Sequence, residues 1–197
     1  MLDTPADAQP DLRPGLMLCA YEPELDWDVE GPEASRDWMP PGARLIPVEA
    51  EAPESLARTL VERLRDPACR AALLVGRATG AGDFLIQTRA ENRALNGKAR
   101  LVPTGPGVAR ATAPALEMAQ TLSEAGLTAR LSSETVTDPG NYLLYRLLCS
   151  LPDGPEAPLV GLLRVPEGDG SMIRRAVRLA AEAMARHLSP LPRPRAA

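Results

Sequence analysis

The chain has one histidine, His187, and three cysteines, Cys19, Cys69 and Cys149, each isolated from the others in sequence. With no CxxC pair, and no metal-ligand spacing between any cysteine and His187, a zinc site or dithiol redox centre has nothing to build on. The cysteines lie in or beside apolar stretches, where a free thiol packs as a small hydrophobe, so they are expected to be buried. No metal and no cofactor is expected.

Other absences narrow the function further. The formal charge is -4, the pI is near 5.2, and the arginines are spread along the chain, so there is no basic tract for nucleic acid. No apolar run reaches membrane-spanning length, and the opening MLDTPADAQPDLRPG lacks the basic and apolar regions of a signal peptide. A cytoplasmic location without membrane contact is the resulting expectation. The Gly-rich stretch GRATGAG at 76–82 has no Walker lysine, Lys98 being far down the chain, and reads as a turn. An acidic loop around Glu22, Asp28, Glu33 and Asp37 lacks an EF-hand pattern and reads as solvated. There is no internal repeat.

What is present is an alternation of strand and helix patterns over a length suited to one domain. Apolar runs at 15–21, 43–48, 71–76, 84–88, 99–102, 128–133 and 158–165 read as strands, the run at 71–76 being of the kind buried on both sides. Helical spacing appears over 53–66, 114–125 and 138–149, with Gly126 ending the second. Ile173, Val177, Ala180, Met184 and Leu188 mark one face of a last helix. The pattern predicts a single three-layer α/β/α domain over residues 15–188, with a mostly parallel or mixed twisted sheet and helices on both faces. Residues 1–14 and the proline- and arginine-rich 189–197 are expected to be disordered flanks.

The stretch DPGNYLLY at 138–145 has the form of a helix start, with Asp138 as cap and Pro139 in the first turn. Gly140 then stands where a dipole-positive helix N-terminus could have presented a reactive side chain.

Four further stretches give that position meaning. Ala20-Tyr21-Glu22-Pro23-Glu24 resembles the Gly-Phe-Glu-Pro-Phe of the pyroglutamyl-peptidase I family. VGRATGAGDFLIQTRAEN at 75–92 resembles the family segment that begins Val-Gly-Leu-Ala and ends Glu-Arg-x-Ala-x-Asn. Thr104-Gly105-Pro106 resembles Asp-Gly-Pro, and Gly161-Leu162-Leu163-Arg164-Val165-Pro166 resembles Gly-Phe-Ile-His-Val-Pro. Residues 136–145 resemble Gly-Thr-Phe-Val-Cys-Asn followed by Tyr, which puts the family's nucleophilic cysteine at Gly140.

The resemblance implies the fold of a cysteine peptidase that removes N-terminal pyroglutamate, a homodimer or homotetramer, and a Glu/Cys/His triad. By the same motifs the triad positions hold Gln87, Gly140 and Arg164, so no member is intact. Glycine offers no nucleophile, arginine keeps its proton at any working pH, and glutamine is neutral. The ring-binding aromatics correspond to Tyr21 and Glu24, which leaves one ring.

Two readings of the altered site stand open. Tyr21, Glu24, Gly140, Asn141 and Arg164 could bind a small anionic or pyroglutamyl-like ligand without covalent chemistry, with Gln87 as a neutral wall. Alternatively Arg164 pairs with Asp138, Glu24 or another acid and plugs the cleft. The function classes are an inactive relative that binds a ligand or partner, a hydrolase of changed chemistry in the same cleft, and a surviving pyroglutamyl peptidase.

Overall fold

The computed structural model describes residues 11–22, 25, 38–79, 82–152, 154 and 156–192. In chain order the elements are β1 (Gly15–Ala20), β2 (Arg44–Val48), α1 (Pro53–Leu64), β3 (Cys69–Arg77), β4 (Phe84–Gln87), β5 (Arg89–Glu91) and β6 (Val108–Arg110). They continue with α2 (Ala115–Glu124), β7 (Ala129–Ser132), α3 (Pro139–Leu148), β8 (Leu159–Val165) and α4 (Gly170–Ala185).

Six strands form one sheet in the order β2-β1-β3-β8-β4-β7, and β5 with β6 forms a separate antiparallel pair. Strands β2, β1, β3 and β8 are parallel; β4 lies antiparallel to β8 and carries β7 parallel beside it. The expected mostly parallel mixed sheet is therefore present.

The central strands are apolar on both faces because both faces are covered. On β1, Leu16 and Leu18 belong to the core shared with α2 and α4, while Met17 and Cys19 belong to the core shared with α1 and α3. The same alternation on β3 sends Leu73 and Val75 one way and Ala72 and Leu74 the other. Leu16, Leu73 and Leu74 are fully buried, and each such leucine stabilises the fold by about 1.5–3 kcal/mol. Gly126, with φ of 80°, takes the chain out of α2 as expected.

Two details depart from the sequence pattern. Residues 99–102 form irregular, bent backbone instead of a strand, because the Asn92 amide accepts from the Val102 N–H at 2.8 Å and donates to the Val102 carbonyl at 2.7 Å. That side chain satisfies the backbone groups a ladder would have used. The short β5 and β6 were not legible as strands. Near the chain ends, Leu191 N–H donates to the Leu12 carbonyl at 2.8 Å, which ties the two flanking segments at that point. Residues 1–10 and 193–197 lie outside the described residues.

Candidate functional site

Strand alternation decides which side chains can meet. On β8, Val160 and Leu162 face the α1 and α3 side, so Arg164, in phase with them, faces that side too. Gln87 is in antiphase with Ile86, which faces α2 and α4, and so joins Arg164. Asp138 caps α3, its carboxylate accepting from the Asn141 N–H at 2.8 Å as the sequence led one to expect, and Gly140 opens the first turn. The three positions matched to the family triad therefore converge at the N-terminus of α3.

Arg164 is 2% exposed there and its guanidinium is engaged on all sides. Nη1 donates to Asp138 Oδ2 at 2.5 Å and to the Arg77 carbonyl at 3.5 Å, Nη2 donates to Asp138 Oδ1 at 3.0 Å, and Nε donates to Gln87 Oε1 at 3.3 Å. Burial is the largest single influence and works against its charge, but the Asp138 hydrogen bonds together with the electrostatic pull of Asp138, Tyr21 and Glu22 outweigh it and hold its pKa above the ordinary arginine value. Gln87 is fixed in turn, its Nε2 donating to the Glu134 carbonyl at 2.6 Å and the Arg89 carbonyl at 3.1 Å. The anion at this helix N-terminus is the chain's own Asp138.

Tyr21 completes the closure. A Cβ built at Gly140 would lie 2.3 Å from the Tyr21 hydroxyl and 2.9 Å from its Cζ, distances that real Cβ atoms do not show. At Gly76, on β3, the same construction gives 1.9 Å and 2.0 Å. The tip of the phenol thus sits against two bare backbones, in space that a side chain at either position would take. Its hydroxyl is buried and has no hydrogen-bond partner among the described residues, and burial pushes its pKa up.

The remaining motif residues brace the scaffold. Asn141 Oδ1 accepts from the Glu91 N–H at 2.8 Å and its Nδ2 donates to the Glu91 carbonyl at 3.0 Å, tying α3 to β5. The Tyr145 hydroxyl donates to the Pro106 carbonyl at 2.6 Å, and Gly105 leaves room for it. Of the residues expected to bind a ligand, Tyr21, Gly140 and Arg164 are brought together and the Asn141 amide is turned to β5. Glu24 lies outside the described residues.

Among the described residues, the other candidate nucleophiles and bases sit elsewhere or are engaged. Cys149 caps the far end of α3 and is exposed, while Cys19 and Cys69 are buried. His187 follows α4 and bonds to Glu117 of α2, on the opposite face of the sheet from Arg164. Ser132 is buried and its hydroxyl accepts from the Glu134 N–H at 3.3 Å. Among the described residues, no group of three or more His, Cys, Asp or Glu could hold a metal ion, and no helix is long and apolar enough to cross a membrane. Gly76 was the feature sequence reading missed. A glycine interrupting a buried apolar strand was its available signal.

No protein-family model and no curated protein matches the sequence. Solved structures do match. Pyroglutamyl peptidase I from Bacillus amyloliquefaciens superposes with a TM-score of 0.71 at 16% identity, over 88% of this chain and 95% of that one. Pyrrolidone carboxyl peptidase from Thermus thermophilus gives 0.65 at 21% identity, over 86% and 98%. A mutant pyrrolidone carboxyl peptidase from Pyrococcus furiosus gives 0.71 at 19%, over 89% and 100%. The chain is built on the fold of the pyroglutamyl peptidase I structures, which it spans almost end to end.

Proposed function

We propose that this protein is a pyroglutamyl peptidase I-like scaffold without peptidase activity, acting by non-covalent binding of a partner or small ligand. One observation carries the reading. Where a triad would need a thiol, an imidazole and a carboxylate, a two-pronged Arg164–Asp138 pair stands against Tyr21. Arginine cannot exchange the proton, glycine has no nucleophile, and the phenol's raised pKa keeps it protonated. An external anion would have to displace the Asp138 carboxylate from both the guanidinium and the helix N-terminus.

The test is hydrolysis of a pyroglutamyl-aminocoumarin substrate by the wild type, by Gly140→Cys/Arg164→His/Gln87→Glu, and by that variant with Tyr21→Phe added. The wild type is expected to be silent, and turnover should emerge in one of the variants. Wild-type turnover that disappears when one native cysteine is replaced would overturn the proposal. Thermal melts with 5-oxoproline test whether this cleft, rather than another surface, takes the small ligand. No shift is expected. A stabilisation that Arg164→Ala abolishes would favour an anion pocket that opens by releasing Asp138.

A further inference from the structure

The cations of residues 89–110 are too widely spaced in sequence to form a tract, but the fold gathers them. Arg89, Arg93, Lys98, Arg100 and Arg110 stand against one acid, Glu91, so β5, β6 and the chain between them carry a net +4 on a molecule of -4. No aromatic residue falls in this stretch.

Antiparallel pairing sets Arg89 opposite Arg110, Ala90 opposite Ala109 and Glu91 opposite Val108. Ala90 is fully buried and, with Ala109, packs into the core shared with α3, so the other four side chains lie on the outer face. There Val108 is 42% exposed and Arg110 is exposed as well. Glu91 is already committed, its Oε2 accepting from Arg93 Nε at 2.7 Å. Arg89 Nε donates to the Ser133 carbonyl at 2.8 Å, while its Nη2 lies 3.9 Å from Glu91, beyond hydrogen-bond reach. Arg110 makes no side-chain hydrogen bond or ion pair among the described residues. Like charges directly opposite on a strand pair destabilise it, and an anion laid across the two guanidiniums would replace that repulsion with charge-assisted contacts.

We propose that the outer face of β5 and β6 docks an acidic segment of a partner protein, its carboxylates on Arg110 and Arg89 and an apolar side chain two residues along over Val108. Positions two apart on one face of a strand are about 7 Å apart, as are alternate side chains of an extended peptide. Without an aromatic side chain the face lacks the stacking platform that single-stranded nucleic acid uses, and two +4 lobes repel each other in a symmetric contact between copies. This supplies the partner chemistry for the binding function proposed above and rests on that reading, whose own failure is read separately as wild-type hydrolysis of the pyroglutamyl substrate.

The experiment is fluorescence anisotropy of the full chain with a labelled peptide of repeated Glu-Ser-Val-Ser, which places Glu and Val alternately on one face when extended. Arg110→Gln should raise its Kd about tenfold, and Arg89→Gln/Arg110→Gln about a hundredfold, since each loses a charge-assisted contact. Arg110 has no partner to lose, so Arg110→Gln should leave the thermal melt unchanged. Arg175→Gln, an equal loss of charge at an exposed position of α4, should leave the Kd unchanged. No binding of the peptide overturns the proposal, and so does equal binding when Gln replaces Glu in it. A loss in Arg175→Gln as large as in Arg110→Gln would mean undirected charge attraction, and tighter binding of oligouridylate would assign the face to nucleic acid. Either result overturns the proposal too.

Discussion

Tyr21 carries a hydroxyl that burial removes from water and for which no neighbour among the described residues supplies a hydrogen bond. Its cost predicts that Tyr21→Phe stabilises the fold by about 1 kcal/mol, read from the urea midpoint, because deletion removes an unmet polar group and leaves the ring packing. A destabilised Tyr21→Phe would mean that the hydroxyl has a partner in solution. Arg164 and Asp138 behave oppositely, since each satisfies the other with side-chain exposures of 3% and 19%. Asp138→Ala should cost about 3–5 kcal/mol, leaving a buried guanidinium unpaired as well as uncapping α3. Adding Arg164→Leu should restore much of that loss, because the stranded charge goes too. If the double variant were as unstable as the sum of the two singles, the pair would not be a coupled unit.

At the scale of elements, α2 and α4 are joined where Glu117 meets Arg186, Nε to Oε1 at 2.7 Å, and His187. The hydrogen bond from His187, then that from Arg186, lowers the Glu117 pKa below its ordinary 4.5. A carboxylate with a lowered folded-state pKa contributes stability that is fully present above the unfolded value and declines as pH falls through the folded one. The α2–α4 join should thus weaken below about pH 4.5, and Glu117→Gln should flatten that part of a pH-dependent thermal melt. An unchanged acid slope in the variant would assign the sensitivity elsewhere. The long central elements were legible in sequence because their apolar pattern is strong. Strands β5 and β6, three residues each, carry too little pattern to register, and the absence of a strand at 99–102 follows from one asparagine amide.

For the whole molecule, the covered sheet hides two of the three thiols. Burial pushes the Cys19 pKa up to about 12 and that of Cys69 up to about 11, while Cys149 is exposed. A chromogenic disulfide at mildly alkaline pH should therefore titrate one thiol quickly, and the other two only after denaturation. Fast reaction of more than one would show that the central sheet opens.

The order and spacing of short motifs determined the fold without any family-level sequence match, because each motif sits at a strand end or helix start that the architecture requires. Sequence also led to the expectation that Gln87, Gly140 and Arg164 come together, as they do, since strand alternation and a capped helix start are local properties. Only the tertiary structure decided what fills that place. Tyr21, Gly76 and Gly140 come from segments 55 and 64 residues apart, and whether a phenol lies against two bare backbones depends on packing between β1, β3 and α3. The choice of Asp138 as the partner of Arg164 was likewise open in sequence, and it was settled by the distance between a helix cap and a strand end.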